Sequence, residues 1–424
     1  MSTVWLQVGQ CGNQIAQELW HNLGIVTGTC GKIDRNPFCS RDGKLSAICV
    51  DSEPKVIKKM QKQMKKGLFR ESNLIFGKQG KGKNWAFGYY NKPSNCEKSL
   101  LYRTMERLRK EVELRDCYSG TVLFHSLSGG TGAGLGSHLC EEIRDEYPLG
   151  QILSVTVAPY QTGECPLQHY NILLCLSWLQ SYADGIFLFH NDDVLKRTAA
   201  SMEKKNIHEP RKLTQVSLSN MNTYIADCVA GLLYPVNNFR PTSGLNMGVE
   251  PWELLRSVCP VPTMKFLHVA QTSTRGQVFW DSMVSSMTHF LAPESSTGDP
   301  FYSTSLLLVA RSNHCSLIRP QSSAVKRLQR AYGCVSWNPF PLSLWTASYD
   351  MKDPGGQRHS LTVCANHSSI IDLLKHTLEK AQKMYSANAY THWYRQYGCE
   401  GSDFEQAFDT LYTVEAEYRS AGEW

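Results

Sequence analysis

The sequence TVLFHSLSGGTGAGLG, at residues 121–136, joins a short apolar segment to a glycine-rich turn. Five of the nine residues from Ser128 to Gly136 are glycine. Because glycine has no side chain, such a turn lets the backbone approach a ligand and point its N–H groups inward. A helical pattern opens at Leu135, and a helix N terminus adds partial positive charge. The segment therefore predicts a phosphate-binding loop between a strand and a helix.

The spacing of these glycines excludes two common phosphate-binding motifs. A P-loop needs a lysine after the last glycine of its GxxxxGK[ST] frame, and none is present here. The dinucleotide fingerprint needs a third glycine that neither Gly130-x-Gly132 nor Gly132-x-Gly134 supplies. A dinucleotide-dependent oxidoreductase is therefore only a remote alternative. The other alternative is a turn that merely packs a helix against a sheet.

Strand and helix patterns alternate on both sides of this loop. Strand patterns lie at residues 4–8, 45–50, 121–127, 152–158 and 185–190, and helical patterns at 14–23, 100–114 and 135–145. Strands separated by helices of this length predict a doubly wound parallel sheet with helices on both faces. Ligands of such sheets bind beyond the carboxyl ends of the strands.

The pattern changes near residue 205. A long helical pattern at 215–233 leads into a second region with strand patterns at 265–269, 305–310 and 361–365, and residues 369–419 are almost wholly helical in pattern. We therefore predict an α/β protein with three parts. These are a nucleotide-binding domain at residues 1–205, a second mixed α/β domain at 206–368 that includes the connecting helix 215–233, and a C-terminal helical region at 369–424.

Composition limits the classes of partner. The chain has 424 residues, of which 42% are hydrophobic and 19% charged, so it can form a substantial core. A net charge of +6 is too small to indicate nucleic acid, and no apolar stretch approaches the ~20 residues that span a bilayer. The fifteen cysteines include no CxxC pair, which favours buried thiols over zinc or disulfides. We expect a cytoplasmic protein that binds neither nucleic acid nor membranes.

Two further strand-to-helix turns carry polar residues. The turn GQCGNQ, residues 9–14, could hold a polyphosphate from a second side. The turn DSEP, residues 51–54, offers carboxylates that suit Mg²⁺ at a phosphate site. Alternatively, Glu53 is only a helix N-cap followed by Pro54 at the first helical position. A fourth segment, GKGKNWA at residues 80–86, is a loop that ends in an aromatic anchor.

Taken in order, these segments resemble the tubulin family. QVGQCGNQI, VDSEPKVI, GKNWAFG, HSLSGGTGAGLG and AYTHWYRQYGCEGSDF are all similar to tubulin segments, and the resemblance covers nearly the whole chain. The details KNWAFGYY and APYQTGE are most similar to the divergent centriolar classes, delta or zeta. The resemblance implies a GTP-binding domain at 1–205 and an intermediate domain at 206–368. It also implies GTP or GDP with Mg²⁺ as ligands, longitudinal contacts with other tubulins, and a cytoskeletal role at centrioles, basal bodies and cilia.

The resemblance also implies the site residues. Glu53 corresponds to the acid beside Mg²⁺, and Asn191 and Asn222 to the amides that read the guanine edge, where an amide offers both donor and acceptor. Side chains at Gly130 or Gly132 are expected to intrude on the phosphate oxygens. The residues implied around the phosphates are Gly9, Gln10, Cys11, Asn13, Asn84, Ser126, Gly129, Gly130, Thr131 and Gly132.

Four positions depart from the family pattern. Lys83 replaces one of two usual asparagines, and Ser128 replaces the first glycine of the phosphate triplet. Leu218 stands where an aromatic ring stacks on the base, and Gln168 where an acid contacts the ribose. A lysine at position 83 adds charge near the terminal phosphate or points to solvent. None of these departures removes the glycine loop.

The catalytic segment of the family is an Asn-x-Asp-x-x-Glu stretch that faces the nucleotide of the next subunit. Counting back from Pro260 places Glu250 and Glu253 at its acidic positions, whereas Asn246 falls two residues too early. One of these carboxylates could orient a water for attack. The alternative is a helix start, with Glu250 as N-cap and Glu253 at the third helical position. The chain is accordingly either an assembly-dependent GTPase or a non-hydrolysing structural subunit with a fixed nucleotide.

Overall fold

The computed structural model of the chain describes residues 3–24, 38–40, 42–64, 66–90, 99–163, 165–205, 215–234, 236, 251–277, 279–295, 298–312, 318–347 and 358–422. Within these ranges ten strands form one sheet. They are β1 (Thr3–Val8), β2 (Ala47–Asp51), β3 (Leu74–Phe76), β4 (Gly120–Ser126), β5 (Gln151–Ala158), β6 (Gly185–His190), β7 (Phe266–Arg275), β8 (Ser303–Arg311), β9 (Leu342–Ala347) and β10 (Arg358–His367).

The sheet is parallel over most of its width. Its order is β3-β2-β1-β4-β5-β6-β7-β10-β8-β9, and every neighbouring pair from β3 to β7 is parallel. Only β10 runs against its neighbours β7 and β8, while β9 is parallel to β8. The first six strands repeat the order of doubly wound dinucleotide-binding sheets. The predicted α/β fold with a doubly wound parallel sheet is confirmed.

Helices cover both faces of the sheet. They are α1 (Gly9–Asn22), α2 (Pro54–Gln63), α3 (Trp85–Tyr89), α4 (Leu100–Glu113), α5 (Gly136–Glu146), α6 (Gln168–Tyr182), α7 (Asn191–Lys205), α8 (Leu218–Leu233), α9 (Pro251–Val258), α10 (Trp280–Thr288), α11 (Ser323–Ala331), α12 (Ile370–Ser386), α13 (Thr391–Arg395) and α14 (Gly401–Ser420). Apolar side chains of α1 and α8 pack on one face, and those of α5, α6, α12 and α14 pack on the other. No helix in the described ranges combines the length and apolar character needed to cross a membrane.

The sheet continues from the first predicted domain into the second. Strand β6 pairs in parallel with β7, with Ile186 opposite Phe266 and Leu188 opposite His268. Helix α8 connects the two halves on one face, since its side chains pack against α1 and against the strands β7, β8 and β10. The domain limits at residues 205 and 368 stay predictions.

Most predicted elements are observed within a few residues of their expected ends. The helical region expected at 369–419 forms α12, α13 and α14. Two strands were not predicted, because neither shows a continuous buried run. Strand β3 has only three residues. Strand β9 is the outermost strand at the other side of the sheet, and four of its six residues keep part of their surface exposed.

The glycine-rich turn forms a short π-helical segment, Gly130–Leu135, directly against α3. A Cβ on Gly134 would lie 2.1 Å from the carbonyl oxygen of Trp85, and one on Gly88 would lie 1.9 Å from that of Gly130. These separations are far below van der Waals contact. Glycine at these two positions is therefore required for the close approach of two backbone segments, whatever ligand the turn binds.

Candidate functional site

A cavity of about 660 Å³ lies beyond the carboxyl ends of the parallel strands. Its walls come from the turns after β1, β2, β4, β5 and β6, from the segment before α3 and from the first turns of α8. This is where doubly wound sheets bind their ligands. The volume falls within the ~300–1,000 Å³ common for small-molecule and cofactor sites.

The glycine loop supplies hydrogen-bond donors to this cavity. In the described part of the chain, the N–H groups of Gly129, Thr131 and Gly132 have no hydrogen-bond partner. The N–H of Gly130 is not available, because it donates to the carbonyl oxygen of Gly82 at 3.0 Å. Unpaired N–H groups beside a helix N terminus form a site for an anion.

The glycines at 130 and 132, which both line the cavity, are also required by packing within the protein. A Cβ on Gly132 would lie 2.7 Å from Ser126 Oγ, and one on Gly130 would lie 2.4 Å from the carbonyl oxygen of Lys81. Added side chains would therefore collide with the protein before they reached a ligand. By contrast, Gly129 is half-buried on the cavity wall, where a Cβ would lie 3.3 Å from Ser126 Oγ.

The turn after β1 contributes to the cavity in two ways. Gln10 and Cys11 line it, whereas Gly9 and Asn13 do not. Gly9 has φ +73°, and a Cβ there would lie 3.0 Å from the nitrogen of Gly132. Asn13 is fully buried and donates its Nδ2 to the carbonyl oxygens of Gly9 and Val50, at 2.8 and 3.0 Å. Gly9 therefore allows the turn to lie close to the glycine loop, and Asn13 joins the turn to β2.

The turn after β2 brings carboxylates to the phosphate side of the cavity. Asp51 and Glu53 both line it, and between them Ser52 Oγ lies 2.6 Å from Thr131 Oγ1. Glu53 occupies the N-cap position of α2, but its side chain makes no capping hydrogen bond. Burial, together with the nearby charge of Glu53, raises the pKa of Asp51 to about 6, although two backbone hydrogen bonds act in the opposite direction.

This donor set fits Mg²⁺ only together with a phosphate. No group of three or more His, Cys, Asp or Glu side chains able to hold a metal occurs in the described ranges. Mg²⁺ is usually bound through one or two carboxylates, with phosphate oxygens and waters completing its shell. Asp51 and Glu53 flank Ser52, whose hydroxyl contacts Thr131 of the glycine loop, and they match that arrangement.

Asn84 does not line the cavity. Its Oδ1 accepts from the N–H of Phe87 at 3.2 Å and so caps α3, and its Nδ2 donates to the carbonyl oxygen of Trp393 at 2.8 Å. The preceding residues Lys81, Gly82 and Lys83 line the wall instead. Both hydrogen-bonding ends of the Asn84 amide are thus used within the protein.

Asn171 ties the cavity walls together, and the sequence patterns did not single it out. Its Nδ2 donates to the carbonyl oxygens of Lys83 and Ser128, both at 2.9 Å. Its Oδ1 accepts from the N–H of Trp85 at 2.9 Å and from the hydroxyl of Tyr394 at 2.7 Å. A signal was present in the sequence, since this asparagine opens the apolar run NILLCL of α6.

The two predicted asparagines line the other end of the cavity, near β6 and α8. Asn191 begins α7 and Asn222 lies in the second turn of α8, and both line the cavity. Leu218 stands at the rim with 65% of its surface exposed, and the buried Gln168 lines the wall. The structure therefore brings the two amides to one end and the glycine loop to the middle.

Glu253, one of the two predicted catalytic acids, does not line this cavity. Glu253 lies in the first turn of α9 and is half-buried. Leu255, two residues later, packs against Gly185 at the amino end of β6, whereas the cavity lies at the carboxyl ends. Helix α9 therefore lies at the amino ends of the strands, which form the edge of the sheet opposite the cavity. Glu250 and Asn246 lie outside the described residues.

The fold and the cavity are those of a doubly wound nucleotide-binding protein, and residues 2–198 match the GTPase domain of the Tubulin/FtsZ family, which implies a guanine nucleotide. The chain is 28% identical to the tubulin beta chain of Schizophyllum commune, over 98% of this chain and 94% of that protein. It is 27% identical to the tubulin delta chains of Macaca fascicularis and Homo sapiens, over 99% of both sequences in each case. Residues 2–198 therefore form a Tubulin/FtsZ GTPase domain, and over nearly its whole length the chain is similar to tubulin beta and delta chains.

The buried Asp51 should make the nucleotide-free protein less stable as pH rises. Its pKa is about 6 in the fold, above the ordinary value of 3.8, so the folded state holds the proton more tightly. Stability is then lost between about pH 4 and 6, and the full cost remains at pH 7.5. Asp51→Asn should raise the free energy of unfolding at pH 7.5 by about 1–3 kcal/mol.

Urea unfolding of nucleotide-free protein at pH 5 and pH 7.5 measures this effect. The exposed Asp409 of α14 provides the control, because Asp409→Asn should leave both values unchanged. An Asp51→Asn protein with the same stability as the unmutated chain at pH 7.5 would contradict the assignment.

Proposed function

We propose that this chain binds GTP or GDP with Mg²⁺ in the cavity and assembles with other tubulins. The observation that carries the proposal is the set of unpaired N–H groups of Gly129, Thr131 and Gly132 on the cavity wall. Such donors stabilise phosphate oxygens, which they can meet without reorganising. Ser126, Gln10 and Cys11 line the same space.

The order of the strands supports one orientation of the nucleotide. Asn191 and Asn222 lie at the β6 end, the glycine loop follows β4, and the carboxylates of Asp51 and Glu53 follow β2. The guanine base would lie at the β6 end and the phosphates toward β2. Mg²⁺ would be held near Asp51 and Glu53, where it would neutralise phosphate charge.

Base choice should depend on Asn222. Losing the amide leaves buried polar atoms of the base unpaired, so Asn222→Leu should lower affinity for GTP and GDP by about 10- to 100-fold. Asn220 lies two residues earlier on the same helix and does not line the cavity, which makes Asn220→Leu the matched control. The measurement is the nucleotide retained by the purified proteins, identified by mass, with titrations of GTP, GDP and ATP. Equal affinity of the unmutated protein for ATP and GTP would contradict the proposal.

The position of α9 supports catalysis between subunits. The cavity and Glu253 lie at opposite edges of the same sheet, so Glu253 cannot reach its own nucleotide site. A head-to-tail contact between two chains brings those opposite edges together. Glu253 would then orient the attacking water at the neighbour's terminal phosphate.

Glu253→Ala should leave GTP binding by the isolated chain unchanged. In an assembly it should slow GTP hydrolysis by at least about 10²-fold, because the general base is lost at each contact. Ser257→Ala, one turn later on α9, is the control. Turnover is measured with and without added tubulin, and melting temperature is measured alongside.

Identical turnover of mutant and unmutated assemblies would favour the second candidate, a structural subunit that holds its nucleotide without hydrolysing it. Glu253 would then serve only α9, whose first turn contains it. The mutation would cost about 0.3–1 kcal/mol of stability from the lost charge at the helix N terminus.

We further propose a cytoplasmic, cytoskeletal location at centrioles, basal bodies and cilia. The full-length match to the delta chains supports this class, together with the segments KNWAFGYY and APYQTGE. The chain carrying a fluorescent tag should concentrate at centrioles or basal bodies in ciliated cells. Uniform labelling of all cytoplasmic microtubules would contradict this assignment.

A further inference from the structure

The segment that contains α2 carries the charge that makes the whole chain cationic. The chain has 44 Lys and Arg residues against 38 Asp and Glu residues. Residues 54–70 contain seven of the basic residues and no acidic residue, so the remaining sequence has 37 basic against 38 acidic residues. The net charge of +6 is therefore concentrated in one helix and the turn that follows it.

One side of α2 is fixed to the body of the protein. Ile57 and Met60 are fully buried in the core that contains α1, and Gln63 Oε1 accepts from Gln17 Nε2 of α1 at 2.8 Å. The apolar residues of α2 are thus already used, and its other side is open to a partner. The exposed lysines on this segment are Lys55, Lys58, Lys59 and Lys62 within the helix and Lys66 beyond its end.

The four lysines within the helix lie on one side of it. At 100° per residue they fall within about 100° of the helix circumference, and they extend over about 10 Å along its axis. These four residues and Lys66 are called the lysine stripe below. Its first member, Lys55, also lines the nucleotide cavity, whereas the other members do not.

No carboxylate neutralises the lysine stripe within the described part of the chain. Its members form no ion pair or hydrogen bond there, and Lys58 has only a contact with Phe76, whose ring centre lies 5.6 Å from its Nζ. Lysines three or four residues apart repel each other and destabilise a helix. The exposed side of α4 shows the opposite arrangement, since Arg109 pairs there with Glu106 and Glu113. An acidic partner would therefore stabilise α2.

A second copy of this chain does not suit the lysine stripe. Helix α2 packs near β2 and β3 at one side of the sheet, and α11 packs with β8 and β10 near the other side. The exposed side of α11 is also cationic, since it presents Lys326 and Arg330. A side-by-side row of identical chains would bring two positive helices together, and these would repel each other. The charges favour a partner of different composition.

A bilayer or a nucleic acid also matches this surface poorly. A helix that binds to a bilayer inserts apolar side chains, and those of α2 are buried in the protein. Single-stranded nucleic acids stack their bases on exposed aromatic rings, but Phe69, the one aromatic residue of the segment 54–70, is buried. Exposed carboxylates of Glu53 and Glu71 flank the segment. The positive surface is therefore short, which suits an acidic segment of similar length.

We infer that the lysine stripe of α2 is a docking surface for an acidic helix of another protein. Asp or Glu residues at positions i, i+4 and i+7 of a helix lie on one face over the same length of about 10 Å. Each exposed pair of a lysine and a carboxylate contributes little, so the contact needs several pairs at once and weakens as salt rises. This surface does not depend on the proposed binding of guanine nucleotide.

The test measures fluorescence anisotropy of a labelled alanine-based helical peptide of about 20 residues with glutamates at i, i+4, i+7 and i+11. It should bind the unmutated chain at about 50 mM salt and bind about tenfold more weakly at about 300 mM. Lys58→Gln, Lys59→Gln, Lys62→Gln and Lys66→Gln combined should weaken binding by at least about tenfold, because four charge pairs are lost. Lys55 stays unchanged because it lines the cavity.

A control variant loses the same amount of charge from three other helices. It combines Lys110→Gln, Lys326→Gln, Lys380→Gln and Lys383→Gln, all at exposed positions. It should bind the peptide as the unmutated chain does. A second peptide of the same composition, with its glutamates spread around the helix, should bind the unmutated chain at least about threefold more weakly.

Equal weakening in the control variant, equal binding of the two peptides, or binding of neither would overturn the inference. Tighter binding of double-stranded DNA, or of vesicles of equal parts phosphatidylserine and phosphatidylcholine, would also overturn it. The same holds for self-association of the chain, measured by sedimentation, that the substitutions in the lysine stripe abolish. Melting temperatures establish that all variants are folded.

Discussion

The carboxamide of Asn171 is the interaction on which the shape of the cavity depends. It lies fully buried on α6, and its four hydrogen bonds reach the segment before α3, the glycine loop and the C-terminal region. A buried polar group left without its partner costs about 1–3 kcal/mol, so the four bonds make alternative arrangements of these segments expensive. The positions of the unpaired N–H groups of the glycine loop and of Lys83 are therefore set by one side chain that does not line the cavity.

Close backbone packing and ligand binding both favour glycine in this loop, but for different reasons. Gly134 is needed because α3 lies against it, and Gly132 because Ser126 does. This packing holds the unpaired N–H groups of the loop in place before any ligand arrives. Preorganised donors of this kind lose little freedom on binding an anion, which is the physical basis of their affinity.

The sequence was sufficient to predict the fold and to predict that the loops meet at the carboxyl ends of the strands. Both predictions follow from the alternation of strands and helices. It did not show which atoms of each loop face the cavity. Gly9, Asn13 and Asn84 belong to the expected loops, but their groups hold backbone in place. Asn171 was missed because its role comes from contacts with residues as distant as Tyr394, and periodicity carries no information on such contacts. The roles of Glu253 and of the nucleotide contacts stay predictions.

The placement of the cavity and of α9 at opposite edges of the sheet gives any head-to-tail row of these chains a direction. At one end of the row the last subunit presents an open cavity to solvent, where a nucleotide can enter and leave. At the other end the last subunit presents α9, and its own cavity is covered by the neighbour. In the assembly proposed above, growth at the first end would therefore depend on the nucleotide in a solvent-accessible site, whereas growth at the second would depend on the nucleotide brought by the incoming subunit.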